Sequence, residues 1–160
     1  MLRNVQYITL ILLMLITGLF WGTWFSLSRT IETFSADEFI HIGKTIIKNV
    51  AVPMRVIMPA CIVLMAGSLW AYSQKRSLPF YLMLTSFVLL IVSLIITVGI
   101  EVPIDNQIKI WTPETVPSGW HEIRSRWEFF HTVRTVTSLL SFALFSAGLF
   151  FGPPQTTSGN

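Results

Sequence analysis

Apolar positions along this chain gather into four long runs with few interruptions. Residues 6–28 ("QYITLILLMLITGLFWGTWFSLS"), 53–73, 79–101 and 130–152 each have the length of a membrane-crossing helix, which needs roughly 20 mostly apolar residues. Polar positions fall unevenly between them. "QKRSLP" joins the second and third runs as a tight basic turn. Residues 30–52 and 102–129 are longer, and four crossings place both on the opposite membrane face. In the first of these, "SADE" at 35–38 has the form of a capping box, with Ser35 as N-cap and Glu38 three residues on. It opens an amphipathic stretch, "DEFIHIGKTIIKNV", expected to lie at the interface as a short helix. In the second, Pro103 is expected to stop the third helix and "WTPETVPSG" to form loop. "WHEIRSRWEFFHTVRT" has no breaker and is expected to run helically into the fourth span. The tail at 153–160, "PPQTTSGN", is polar and breaker-rich, and is expected to be disordered.

Backbone groups cannot stay unpaired in lipid, so four apolar runs imply helices. The predicted fold is all-α: an integral membrane four-helix bundle with a short interfacial amphipathic helix, forming one domain over residues 1–152. Gly18, Gly22 and Ser26 stand four apart on the first helix. Small residues at that spacing let a neighbouring helix approach closely.

Composition supports this class. The chain is 52% hydrophobic and only 12% charged, against about 25% charged in a soluble domain. A net charge of +3, scattered along the chain, does not suggest a nucleic-acid partner. Cys61 is the lone cysteine, so no intrachain disulfide or thiolate metal cluster is encoded. Arg3 precedes the first run, which exceeds a signal peptide's usual core and has no small-residue cleavage site after it. It reads as a retained helix. The expected setting is multi-pass in the cell membrane, with the lipid bilayer as partner and a homo-oligomer left open. Counting basic residues favours the long connections inside. The Lys75–Arg76 pair in the tightest loop, on the side of Arg3, favours cytoplasmic termini instead, and that is the orientation expected here.

The last long connection holds the candidate chemistry. Trp120, Arg124, Trp127, His131 and Arg134 step by three and four, so they share one helix face. Arg134 lies about one turn inside the fourth run. An arginine at that depth needs a partner or a wet cavity. On the third helix Ser93, Thr97 and Glu101 step by four toward the same edge, so Glu101 or Asp105 is expected to meet Arg134. Such a pair either joins two helices structurally or marks a polar pocket on the long-connection side. Arg55, between two prolines in "PMRVIMP", is either a second buried cation or a snorkelling interfacial one. His41, His121 and His131 all map to the long-connection side and could converge as a metal site, although only Glu128 and His131 make an ExxH pair. With an ordinary pKa of about 6.5, a histidine at position 131 could also act as a general acid or base. No phosphate loop, nucleophile elbow, c-type haem motif or Rossmann fingerprint is present.

"VPIDNQIKIW", followed about twenty residues later by "WEFFHTVRT" and a final apolar helix, resembles a family of small four-helix membrane proteins that includes the polyketide anthrone oxygenases. Pro103, Asn106, Trp127, His131 and Arg134 occupy that family's motif positions, and "MRVIMP" and the glycine-bearing first helix also fit. The resemblance implies oxidation of an activated carbon of a fused aromatic ketone, without a familiar cofactor; the residues themselves name no cofactor. It would cast His131 as base and Arg134 and Asn106 as holders of an enolate oxygen. Trp127, Trp111 and Trp120 would form aromatic walls, with Arg55, Glu101 and Asp105 completing the substrate pocket. Three readings stay open. One is an oxygenase or oxidoreductase acting on a lipophilic aromatic molecule. The second is a non-enzymatic membrane subunit or small-ligand binder with a structural Arg134–Glu101 pair. The third is a metal protein built on His41, His121 and His131.

Overall fold

The structure, a computed structural model, describes residues 2–152; the tail expected to be disordered lies outside them. Every regular element in that range is helical. Helix α1 (Leu2–Thr23) continues through a π-helical turn, Trp24–Ser28. A 3-10 turn at Ile31–Thr33 leads into α2 (Ala36–Ala71). Helix α3 (Leu78–Ile96) passes through a second π turn, Thr97–Glu101, into α4 (Val102–Ile110). Helix α5 (Trp120–Phe150) closes the described chain. Four helical stretches among the described residues are long and apolar enough to cross a membrane: Leu2–Ser28, Ala36–Ala71, Leu78–Ile110 and Trp120–Phe150. Their outer faces carry bare apolar side chains, with Trp70 and Phe150 each 82% exposed. Lipid suits such faces and water does not.

Two expectations about element ends need correcting. The amphipathic stretch after Ser35 is helical, and the capping box forms: the Ser35 hydroxyl accepts from the Glu38 amide, and Glu38 Oε2 accepts from the Ser35 amide at 2.8 Å. That stretch is not a separate interfacial helix, however. It continues through Pro53 and Pro59 as one 36-residue helix, roughly 54 Å long. A bilayer core of about 30 Å covers little more than half of that length. Pro103 likewise does not end the third helix; it is the second residue of α4, directly after the π turn. Where a π turn returns to α geometry one carbonyl is skipped, so a proline lacking its N–H costs little there.

The helices pack in a ring, α1 on α2, α2 on α3, α3 on α5 and α5 on α1. Within the spans, Leu13, Ile16, Met58, Met65, Met83, Leu90 and Phe145 form a dry core. Beyond them, the extended ends of α2, α4 and α5 build a second apolar cluster from Phe39, Ile40, Ile104, Ile108, Trp111, Trp120 and Trp127. Gly43 is what lets α2 meet α4 there, because a Cβ would stand 3.1 Å from the Ile108 side chain. The small residues on α1 do not serve the packing expected of them: Gly18 and Gly22 face open space, and Ser26 is exposed.

Candidate functional site

Arg134 sits where the two apolar clusters meet. Its side chain is only 12% exposed, and Glu101, at 1%, lies 3.1 Å away across the α3–α5 contact. The pair predicted from spacing therefore forms, with Glu101 as the acid. Neither Glu101 oxygen makes a directed hydrogen bond, so the attraction is Coulombic. Arg134 spends its directed donors elsewhere. Nε and Nη2 point to His131 Nδ1 at 3.0 and 2.8 Å, and Nη1 reaches the Thr97 hydroxyl at 3.5 Å. The guanidinium carbon also stands 4.5 Å from the Phe20 ring centre, a cation–π contact. The π turn Thr97–Glu101 supplies both Thr97 and Glu101 to this network. Single π turns of this kind recur at functional sites. The other π turn braces the opposite side, where Trp24 Nε1 donates to the Thr132 hydroxyl of α5 at 2.9 Å.

These contacts define the state of His131. Guanidinium groups only donate, so Nδ1 must be an unprotonated acceptor and the ring proton must sit on Nε2. His131 is completely buried, and Nε2 has no hydrogen-bond partner among the described residues. Trp127, one turn earlier, stacks on the imidazole with 4.8 Å between centres and 10° between planes. The i, i+4 spacing of these two on α5 produces that stack.

A cavity of about 320 Å³ opens against this array, at the lower end of the ~300–1,000 Å³ typical of small-molecule sites. Most of its wall is aliphatic or aromatic, from α1, α2 and α3. Polar side chains enter at a few points: Thr23, Arg55, Thr97, Asp105, Lys109, His131 and Arg134. Of the residues singled out from sequence, His131, Arg134, Trp127, Asp105 and Arg55 line the cavity. Glu101 stands behind Arg134, outside the wall.

Other expected site residues fall elsewhere. Asn106 is exposed, with its side-chain oxygen accepting from Lys109 Nζ at 2.9 Å, and it does not line the cavity. At nine residues, α4 is regular, so Asn106 points away when Asp105 and Ile108 point in. Trp111 and Trp120 are buried but not on the wall. The Trp111 carbonyl accepts from Lys44 Nζ at 2.6 Å, and Trp120 packs 5.5 Å from Phe39, which itself lines the cavity. They back the wall rather than form it. The three histidines do not converge: His41 and His121 are exposed while His131 is buried. Among the described residues no group of three or more His, Cys, Asp or Glu side chains is arranged to hold a metal. Sequence reasoning missed Phe20, whose ring lies under Arg134. It also missed Lys109 on the wall. Nothing local marks an aromatic in a spanning helix as the partner of a distant cation.

A family profile described as Anthrone oxygenase matches residues 48–144, well over half of the chain, and the protein belongs to that family. The match includes Arg55, Glu101, Asp105, Trp127, His131 and Arg134 but not α1, which contributes Phe20. No curated protein and no solved structure matches the chain.

Proposed function

We propose that this protein is a membrane-embedded oxygenase for a lipophilic aromatic ketone with an acidic C–H. The observation that carries the reading is an apolar cavity lined by Arg134, His131 and, as its one carboxylate among the described residues, Asp105. With Nδ1 engaged by Arg134, His131 has no free lone pair and is a donor, not the base. Asp105 is the base. Its carboxylate takes the proton from the activated CH2, and the electron pair moves onto the ketone oxygen as an enolate. His131 Nε2–H and Arg134 hold that oxygen; preorganised donors for such an oxyanion are often the largest catalytic contribution. The carbanion then reacts with dissolved O2 to form a C–O bond and a hydroperoxide, which loses water to leave C=O. The net change is CH2 plus O2 to C=O plus H2O. Trp127 and the aliphatic wall hold the flat rings and exclude water.

The test is oxygen uptake by purified protein in lipid nanodiscs, with anthrone as substrate. Wild type should exceed empty nanodiscs, and Asp105→Asn should lower kcat by about 10²–10⁴. His131→Ala should lower it by about 10². Folded wild-type protein with no uptake above the empty discs would refute the reading, as would an Asp105→Asn variant with full activity. Uptake that survives Asp105→Asn but not His131→Ala would restore His131 as base.

A further inference from the structure

The cavity wall is not equally covered around the ring. On α2, Arg55 and Pro59 are exposed although they line it, and Val98 and Val102, which also line it, are 59% and 40% exposed. On the α1 side the lining residues Leu19, Phe20, Thr23 and Leu27 are buried or half-buried. At ~1.5 Å per residue, Arg55 stands roughly 24 Å from the Ala71 end of α2, and Val98 roughly 30 Å from the Leu78 end of α3. Both therefore lie near one edge of a hydrocarbon layer about 30 Å thick. Further out, α2 and α4 close again at Gly43 and Ile108. The gap between α2 and the π turn that follows α3 thus faces lipid at interfacial depth.

The chemistry at this rim is specific. Pro59 has no N–H, so it cannot give the Arg55 carbonyl its i→i−4 hydrogen bond. Irregular backbone at membrane depth is tolerated where it lines a cavity. The Arg55 side chain adds a cation at the same place. Among the described residues, Lys109 and Arg134 are the other cations on the wall, and Asp105 is its only carboxylate. The excess of positive charge favours a ligand with an acidic oxygen.

The geometry points to a lateral portal: ligands reach the cavity from the bilayer between α2 and the π turn that follows α3, and Arg55 at the rim selects amphiphiles that carry an anionic oxygen on a flat apolar body. This rests on the cavity being the ligand site of the preceding reading, and not on the oxygen chemistry there. The test reads binding alone. Two tricyclic fluorescent probes, 9-anthracenecarboxylate and neutral 9-methylanthracene, are followed by fluorescence anisotropy with protein in phosphatidylcholine nanodiscs. Val98→Phe, and independently Val102→Phe, should slow both association and release of each probe by about tenfold. Val88→Phe, on the lipid face of α3 away from the cavity, should leave the rates alone. Arg55→Gln should weaken the carboxylate about tenfold and spare the methyl compound, with Arg55→Lys retaining most of the difference. Unchanged rates in both phenylalanine variants would overturn the route. Equal effects of Arg55→Gln on the two probes would overturn the selection, and wild-type protein that binds neither probe would overturn both. Failure of the oxygenase reading looks different: probes bind as described while anthrone drives no oxygen uptake.

Discussion

The α3–α5 contact and the α2–α3 contact are built from opposite materials. Between α3 and α5, small and hydroxylic residues bring the backbones close: Ser86 against Ser141, Ser93 against Thr137, and Gly148 against Met83 and Pro79. Between α2 and α3 a cavity with a mostly apolar wall intervenes, and α2 carries two prolines. Lipid tails are as apolar as leucine, so close packing and hydrogen bonds are what hold helices together in a membrane. One seam uses both. The other uses neither along the cavity and can open without breaking either. The polar network of the site is hung from the rigid seam, with Arg134 on α5 and Thr97 and Glu101 on the π turn after α3.

The largest effect should come from breaking the charge pair on that seam. Removing one partner of a buried pair leaves the other charge uncompensated, at a cost of about 3–5 kcal/mol. Arg134→Ala and Glu101→Ala should each destabilise by that order in unfolding from detergent micelles. The double variant should be no worse than either single one, since the second change removes the charge that the first left stranded. Additive losses would mean that the two residues act independently. Asp105→Asn should be much milder, because Asp105 lies on the half-exposed cavity wall.

A sharper probe of the α3–α5 seam is a methyl group. A Cβ at Gly148 would stand 2.7 Å from Met83 Cγ and 3.0 Å from the Pro79 carbonyl oxygen. The side chain can yield, but the backbone cannot, so Gly148→Ala should cost about 1–3 kcal/mol. Gly18→Ala and Gly22→Ala meet nothing. They should be neutral, or stabilising by up to about 1 kcal/mol through helix propensity. Comparing the three by thermal unfolding in one detergent checks this, and equal losses would contradict the close backbone approach of α3 and α5 at Gly148.

Much of this was legible in the chain. Hydropathy runs mark the four spans because lipid demands apolar length. The capping box at Ser35–Glu38 and the Arg134–Glu101 pair follow from spacing on regular helix. What escaped has a common cause: positions where local rules yield to tertiary support. The amphipathic stretch after Ser35 reads as a helix separate from the second span, yet α2 joins the two through Pro53, and Pro103 sits inside a helix because a π turn precedes it. Asn106 carries the family motif but faces outward, since neighbours on a helix differ by about 100°. Gly18 and Gly22 look like a packing stripe, but spacing cannot tell a face that meets a helix from one that meets lipid.

The smallest expected effect tests the seam's hydrogen bonds. The Ser86 hydroxyl donates to the Ser141 carbonyl at 2.7 Å, and the Ser141 hydroxyl donates to the Ser86 carbonyl at 2.8 Å. Each hydroxyl has one proton, so the 3.0 Å approach of the two oxygens is a contact and not a third bond. Both carbonyls also belong to intact helices, so losing a hydroxyl strands no backbone group. Interhelical bonds of this kind in membranes average about 0.6 kcal/mol. Ser86→Ala should therefore cost about that much, well below Gly148→Ala. Ser86→Val should cost more than Ser86→Ala, because the seam has room for a hydroxyl and not for a branched side chain. If Ser86→Ala proved as damaging as Gly148→Ala, hydrogen bonding rather than backbone proximity would be what holds α3 against α5.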